Sequence, residues 1–208
     1  MVNRNVYVLA AALIVATFPA EAQLYLSGSG GYLDENSQNG ARGGLSANAD
    51  YEKNYIFNAA VGLRIPLEPV SLRVEVEGGY GRTDLKSVTV ATPGGGTTRA
   101  TVTGAGNNLY TGTVNGFLDI PVTSLLTPYL GGGLGVAQAK FADFRTTDIQ
   151  FKGGHETDFM WLAEAGVAIN FGALSIVPAY RYLQLNTGTS ALSDSSAHVF
   201  KLGLRMQF

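Results

Sequence analysis

Apolar and polar side chains alternate with a period of two over most of the chain that follows residue 22. The pattern is clearest in the last eleven residues, His198 to Phe208, where one face is apolar and the other carries Lys201 and Arg205. Because successive side chains of a β-strand point to opposite faces, this period predicts strands. Strand patterning occurs in eight segments, near residues 23–33, 53–65, 70–83, 107–120, 127–142, 157–170, 174–187 and 197–208.

The alternation alone fits two kinds of β protein. A soluble sandwich turns its apolar faces to the core, whereas a transmembrane barrel turns them to lipid and its polar faces to the lumen. Segment length favours the barrel, since most segments reach the roughly 9 to 11 residues that a tilted strand needs to cross a bilayer. The links also alternate, with short ones at 66–69, 121–126 and 171–173 and long ones near 34–52, 84–106, 143–156 and 188–196. We therefore predict an all-β fold, an eight-stranded antiparallel up-and-down transmembrane β-barrel.

The N-terminus has the features of a cleavable secretory signal peptide. Arg4 precedes an uncharged run from Val6 to Phe18, and Ala20-Glu21-Ala22 has the small-residue spacing of a cleavage site. The run has 13 residues, fewer than the roughly 20 that a spanning helix needs. We predict a signal peptide at residues 1–22 and one exported barrel domain at residues 23–208; the alternative is a short anchor that stays attached.

Composition argues against two other classes of protein. The sequence contains no cysteine, so disulfide bonds do not staple the exported domain. Its formal net charge is −2, which gives no indication of nucleic-acid binding.

Charged residues fall on the predicted inner faces, near the middle of the strands. They are Arg64, Arg73, Glu75, Glu77, Glu164, Arg181, Lys201 and Arg205. Inside a narrow barrel these groups must pair, because an unpaired buried charge is strongly destabilising. An eight-stranded interior is only just wide enough for side chains to fill, which favours a structural network; the alternative is that the same charges line a narrow pore. On the fifth segment Gly131, Gly133 and Gly135 either make room for large neighbours or permit curvature.

Two short segments resemble a known family. Thr127 to Gly135 reads TPYLGGGLG and Tyr180 to Leu183 reads YRYL. Both are similar to runs in the small outer-membrane β-barrel superfamily, which includes the OmpA transmembrane domain, the OmpX-type barrels and the neisserial opacity proteins. The resemblance covers nearly all of the mature chain. It implies a bacterial outer-membrane location, and it implies that Phe208 belongs to a C-terminal signal read by the outer-membrane assembly machinery.

No arrangement of residues points to catalysis, a cofactor or a metal site. His155 lies in a predicted loop, and His198 begins the last strand with Ser196 nearby. Small outer-membrane barrels that deacylate lipid A carry a His-x-Ser-Asn pattern, whereas Phe200 stands two residues after His198. We expect a protein that is not an enzyme and has no cofactor; a lipid-modifying enzyme is the weaker alternative.

The long links are the candidate contact regions. Residues 87–92 and 98–104 alternate Val or Ala with Thr around a Pro-Gly-Gly-Gly turn, which predicts a β-hairpin beyond the membrane. Its edge offers pairing to an extended partner strand; the alternative is a solvated loop without a partner. Residues 34–50 are rich in Asn, Gly and Ser and predict a mobile loop.

These features together predict a non-enzymatic outer-membrane surface protein with a structural or adhesive role. It contacts outer-membrane lipid and the assembly machinery, binds any host or surface ligand through its loops, binds no nucleic acid and is a monomer. The alternative function is a narrow, porin-like channel for ions or small solutes.

Overall fold

A computed structural model of the chain describes residues 22–35, 38–42, 45–91, 97–101, 106–140, 144–145, 150–151, 155–186 and 195–208. Apart from Ala22, the predicted signal peptide lies outside these residues. Within the described ranges, no helix is long and apolar enough to cross a membrane.

Eight long strands form the body of the molecule. They are β1 (Gln23–Glu35), β2 (Leu45–Leu67), β3 (Val70–Ala91), β4 (Gly106–Asp119), β5 (Leu126–Lys140), β6 (His155–Phe171), β7 (Leu174–Asn186) and β8 (Ser195–Gln207). Each pairs antiparallel with the next, and β8 pairs with β1, so the sheet closes on itself. The predicted eight-stranded up-and-down barrel is confirmed. Four shorter strands, Gln38–Arg42, Thr97–Thr101, Phe144–Arg145 and Gln150–Phe151, lie outside this ring.

Both ends of the barrel domain and the three short links lie at one end of the barrel, here called the short-turn end. The Phe208 amide donates to the Leu24 carbonyl at 2.9 Å, and the Gln207 amide donates to the Ala173 carbonyl at 2.9 Å. The tightest link is the β6–β7 turn, where Gly172 has a φ of 69°. Only glycine adopts this left-handed conformation without steric cost. Gly172 and Ala173 can therefore reverse the chain direction between β6 and β7. The opposite end is called the long-strand end.

The outward face is apolar along every barrel strand. Phe57, Leu134, Phe200 and Leu202 have more than half of their surface exposed, and their strand neighbours on the same face are also mostly exposed. So much contiguous apolar surface does not suit a monomer in water, whereas hydrocarbon solvates it well. The apolar face predicted for the last strand is confirmed, with Phe200, Leu202, Leu204 and Met206 exposed on the outside.

The long-strand end differs from prediction, because β2 and β3 continue well past the predicted strand boundaries. Residues 46–50 pair with 87–91 across a bulge near Tyr51, Gln38–Arg42 pairs with 45–49, and Thr97–Thr101 pairs with 87–91. These four segments form the outer sheet. The predicted hairpin is confirmed for 87–91 against 97–101, whereas residues 34–50, predicted as a loop, contain paired strands. These residues contain few apolar side chains, so the period-two alternation that predicts a strand could not be detected in them.

Candidate functional site in the barrel lumen

All eight predicted lumen charges lie on the inward face. Arg73, Glu75, Glu77, Glu164, Arg181 and Arg205 are buried, and the Lys201 side chain is 8% exposed. Arg64 differs, with 25% of its side chain exposed near the short-turn end. Closure of the sheet brings residues from five different strands within reach of one another, so they form two clusters rather than isolated pairs.

The central cluster consists of Glu77, Glu164, Arg181 and Lys201. The Arg181 guanidinium donates to both Glu77 oxygens, at 2.5 and 2.9 Å. It also donates to Glu164 Oε2 at 2.6 Å, and Lys201 Nζ donates to the same oxygen at 3.1 Å. Two cations therefore neutralise two carboxylates in a buried, hydrogen-bonded arrangement of the kind that compensates desolvation. Tyr129 completes it by donating its hydroxyl to Glu164 Oε1 at 2.7 Å.

The basal cluster lies closer to the short-turn end and is built around Arg73. Arg73 Nε donates to both Asp119 oxygens at 2.8 Å. Glu75 accepts from the Tyr25 hydroxyl at 2.7 Å and from Asn115 Nδ2 at 3.2 Å. The Arg73 guanidinium carbon lies 4.6 Å from the centre of the Phe117 ring. A buried cation is thus held by a close carboxylate, Asp119, by a second carboxylate, Glu75, at 3.9 Å, and by the faces of aromatic rings.

Arg205 is held differently from the other lumen cations. Its guanidinium carbon lies 5.5 Å from the Tyr25 ring centre and 5.6 Å from the Tyr129 ring centre. No acidic side chain in the described part of the chain lies within ion-pair distance of it.

An apolar layer fills the lumen towards the long-strand end. Its members share inward orientation and burial, and they are Leu33, Ile56, Ala137, Met160, Leu162, Leu183, Ala197 and Val199, with Leu109 and Leu185 packed against them. The sequence reading assigned polar side chains to the inner faces and missed this layer. Along these strands an inward apolar residue is followed by an outward apolar residue. The sequence then shows a continuous apolar run, in which the period-two alternation does not distinguish the two faces.

The glycines of β5 make room for large side chains of β4. A Cβ on Gly131 would clash with the Gly116 carbonyl oxygen and with Phe117. One on Gly133 would clash with the Asn115 amide, and one on Gly135 with the Gly112 carbonyl oxygen and Thr113. The bare glycine strand thus admits close approach of both the backbone and the side chains of β4, which supports the interpretation that the glycines make room for their neighbours.

Asp119 is the lumen charge that the sequence reading missed. It is buried, and it is the main partner of Arg73. Two-residue spacing places it on the same face as Asn115, which was a usable signal.

His198 does not belong to the lumen network. His198 is on the outward face, where its Nδ1 lies 2.5 Å from the Tyr180 hydroxyl, and the side chain of His155 lies outside the described residues. No group of three or more His, Cys, Asp or Glu side chains able to hold a metal occurs within the described ranges. The expectations of no catalysis, no cofactor and no metal stay predictions.

Comparison with known proteins supports the fold. No family model matches the sequence. Uncharacterized proteins of Brucella abortus (strain 2308) and Brucella melitensis are 32% identical over 92 residues, which is 40% of this chain. The chain spans about a third of the length of these curated relatives, 32%.

Among solved structures, Neisserial surface protein A (NspA) has a TM-score of 0.56 at 17% identity, over 90% of this chain and 99% of that one. The outer membrane protein OprG from Pseudomonas aeruginosa has a TM-score of 0.53 at 14% identity, over 90% of this chain and 96% of that one. At these identities the similarity concerns the fold. The chain therefore has the fold of the small outer-membrane β-barrel superfamily that its motifs resemble.

Proposed function

We propose that this protein is a non-enzymatic outer-membrane surface protein whose lumen is closed and whose contacts with other molecules are made at the long-strand end. The observation that carries this proposal is the filled lumen, which holds the central cluster, the basal cluster with Arg205, and the apolar layer. It leaves the outer sheet as the part of the described chain that is free to contact a partner.

The orientation follows from the general architecture of outer-membrane barrels. Short turns and termini lie in the periplasm and long connections lie outside, so the outer sheet projects from the cell. In the same orientation the apolar strand that ends at Phe208 is presented to the outer-membrane assembly machinery, and the exterior side chains contact lipid.

Closure of the lumen disfavours the channel alternative on grounds of size. The lumen side chains around the two charge clusters leave a cavity of about 30 Å³, room for about two water molecules. A hydrated ion is larger than this cavity, and the apolar layer above it adds a dehydration barrier. The buried charged side chains therefore fill the barrel, and the opposite charges of neighbouring side chains neutralise one another.

The outer sheet offers a contact surface of a definite kind. Within the described ranges Gln38–Arg42 and Thr97–Thr101 each pair on one side only, so each presents a free backbone edge. Exposed edges recruit extended segments of other polypeptides by strand addition. We therefore propose a host or surface protein with an extended segment as the partner.

Removal of residues 85–105, which contain two of the four segments of the outer sheet, tests this function. Asp84 pairs with Gly106, so replacing residues 85–105 by Asn-Gly joins β3 to β4 through a two-residue hairpin without changing register. Bacteria displaying the native protein should adhere to cultured host cells more than bacteria without it, and the shortened variant should lose this gain. The matched control is Glu77→Gln, which alters the lumen and should retain adhesion. Adhesion by the shortened variant, or none by the native protein, would contradict the proposal.

A further inference from the structure

The membrane-facing wall of the barrel has a furrow along β4. Below Tyr110, the outward positions of β4 are Gly112, Val114 and Gly116, and a Cβ added to either glycine would meet no atom within 4 Å. On the neighbouring strand β5, Leu134 stands out from the wall with 59% of its surface exposed. The wall is therefore lower along β4 than along β5.

The furrow widens into a groove where two glycines meet. Gly116 of β4 pairs with Gly132 of β5, and the groove over this pair measures about 620 Å³ and is bordered by Val114, Leu134 and Trp161. This volume lies within the range of ligand pockets. Its apolar border suits a hydrocarbon chain better than a polar ligand.

The furrow begins directly below an aromatic level near the long-strand end. Tyr80 and Tyr110 pair across β3 and β4 with their ring centres 5.4 Å apart, and the Tyr80 hydroxyl donates to Asn108 Oδ1 at 3.1 Å. Gln138 and Thr157 continue the same row on β5 and β6. Tyrosine rings mark the interface between hydrocarbon and headgroups. A lipid chain in the furrow would therefore have its headgroup at or beyond this row.

Positive charge lies just beyond the aromatic level. One row of paired positions across β3 to β6 consists of Arg82, Asn108, Lys140 and His155. These positions contain no carboxylate, and Arg82 is exposed. The next pair outwards, Lys53 with Asp84, has one charge of each sign. This basic row favours a headgroup that carries phosphate.

A second copy of the chain would not fill the furrow. Two copies with the same orientation in one membrane are related by an axis along the membrane normal, so residues near that axis face the same residues of the other copy. Leu134 would meet Leu134, and the bare pair of Gly116 and Gly132 would meet another bare pair. Such a contact leaves the furrow empty, whereas a hydrocarbon chain that runs along β4 fills it.

We propose that the furrow is a binding site for one molecule of lipid A, the acylated and phosphorylated disaccharide that anchors lipopolysaccharide in the outer leaflet. One acyl chain lies over Gly112 and Gly116, the sugar lies beside Asn108 and Gln138, and a phosphate lies at the basic row near Arg82. The site rests on the orientation that belongs to the proposed function, with the long-strand end outside. It holds a lipid against one side of the barrel wall and is separate from the outer sheet.

Fluorescence of Trp161 tests the site, because this residue borders the groove and is the single tryptophan. The purified protein is refolded in phosphatidylcholine vesicles that contain lipid A or phosphatidylglycerol with brominated acyl chains, which quench tryptophan on contact. In the native protein, half-maximal quenching should need about tenfold less brominated lipid A than brominated phosphatidylglycerol.

A matched pair of variants separates the furrow from the rest of the lipid-facing surface. Gly116→Leu fills the furrow with a side chain that points into lipid, so the preference for lipid A should disappear. Gly28→Leu is the control, because Gly28 is an exposed glycine on β1 whose added Cβ lies 4.0 Å from the nearest atom. This variant should keep the preference.

Substitution of Arg82 tests the headgroup contact. Arg82→Gln should reduce the preference for lipid A, and Arg82→Lys should keep most of it because the positive charge remains. Equal quenching by the two lipids in the native protein, or an unchanged preference in Gly116→Leu, would overturn the proposal. An unchanged preference in Arg82→Gln would overturn the placement of the phosphate. The vesicles contain no host cell, so loss of adhesion with an intact lipid preference would contradict the proposed function alone.

Discussion

Removal of Arg181 should destabilise the barrel far more than removal of an exposed lumen arginine. Arg181 has 3% of its side chain exposed, and it donates to both oxygens of Glu77 and to Glu164 at 2.5 to 2.9 Å. In Arg181→Met, two buried carboxylates share Lys201 alone, which lies 3.1 Å from Glu164 and 3.6 Å from Glu77.

The size of the effect follows from this loss of compensation. Breaking a buried ion pair by removing one partner costs about 3–5 kcal/mol, because the remaining charge stays buried without its counter-ion. That is roughly a 100- to 4,000-fold increase in the unfolding equilibrium constant. Arg64→Met is the matched control. Arg64 makes one contact of 3.9 Å to Asp119 and is 25% exposed, and such a pair contributes about 0–1 kcal/mol.

Equilibrium urea unfolding in lipid vesicles gives both values. Trp161 is the single tryptophan and lies on the lipid-facing surface, so its emission reports departure from the bilayer. Arg181→Lys, which restores one positive charge but not the two-pronged contact, should fall between the native protein and Arg181→Met. Equal losses for the Arg181→Met and Arg64→Met variants would refute the reasoning that burial makes these charges structural.

Three further predictions use the same structure. Gly133→Ala should lower the free energy of unfolding by about 1–3 kcal/mol through overpacking, because the added Cβ would meet the Asn115 side chain. Gly116→Ala is the control: no atom lies within 4 Å of its added Cβ, so it should change the free energy of unfolding by less than about 0.5 kcal/mol. Urea unfolding measures both variants, and equal values would contradict the packing of Gly133 against Asn115. Backbone amides of residues 88–91 and 97–101 should exchange slowly with solvent in the membrane-embedded protein, because these segments are paired. Fast exchange throughout both segments, measured by NMR, would show that this part of the outer sheet does not form. Lipid A extracted from cells that express the protein should have an unchanged mass spectrum, and a mass change that disappears in His198→Ala would show enzymatic activity instead.

The sequence predicted the barrel well, because a membrane-spanning strand has to alternate along its whole length. The charges from Arg64 to Arg205 lie on the inward face for the same reason, since period two separates lumen from lipid. Asp119 lies within the predicted strand at 107–120, and its spacing from Asn115 placed it on the inner face, yet it was not among the predicted lumen charges. Three-dimensional proximity decides which charges pair, and the Arg181–Glu77 contact joins residues 104 positions apart, which no local pattern reveals.

Two features lay beyond the period-two argument altogether. Inward Leu33 and Leu183 look the same in sequence as lipid-facing leucines, so only closure of the sheet identifies the apolar layer. The outer sheet is formed by polar segments such as Gln38–Arg42, whose pairing depends on backbone hydrogen bonds rather than on an apolar face.

Single-channel conductance of the purified, folded protein in a planar bilayer tests the closed lumen most directly. Folding is checked beforehand by the shift in gel mobility between unheated and heated samples. The account predicts no discrete openings over the range of voltages that the bilayer withstands, in native protein and in Arg64→Met alike. Reproducible openings whose ion selectivity changes in Glu75→Gln or Glu77→Gln would contradict it, because the buried charges would then line a pathway instead of filling the barrel.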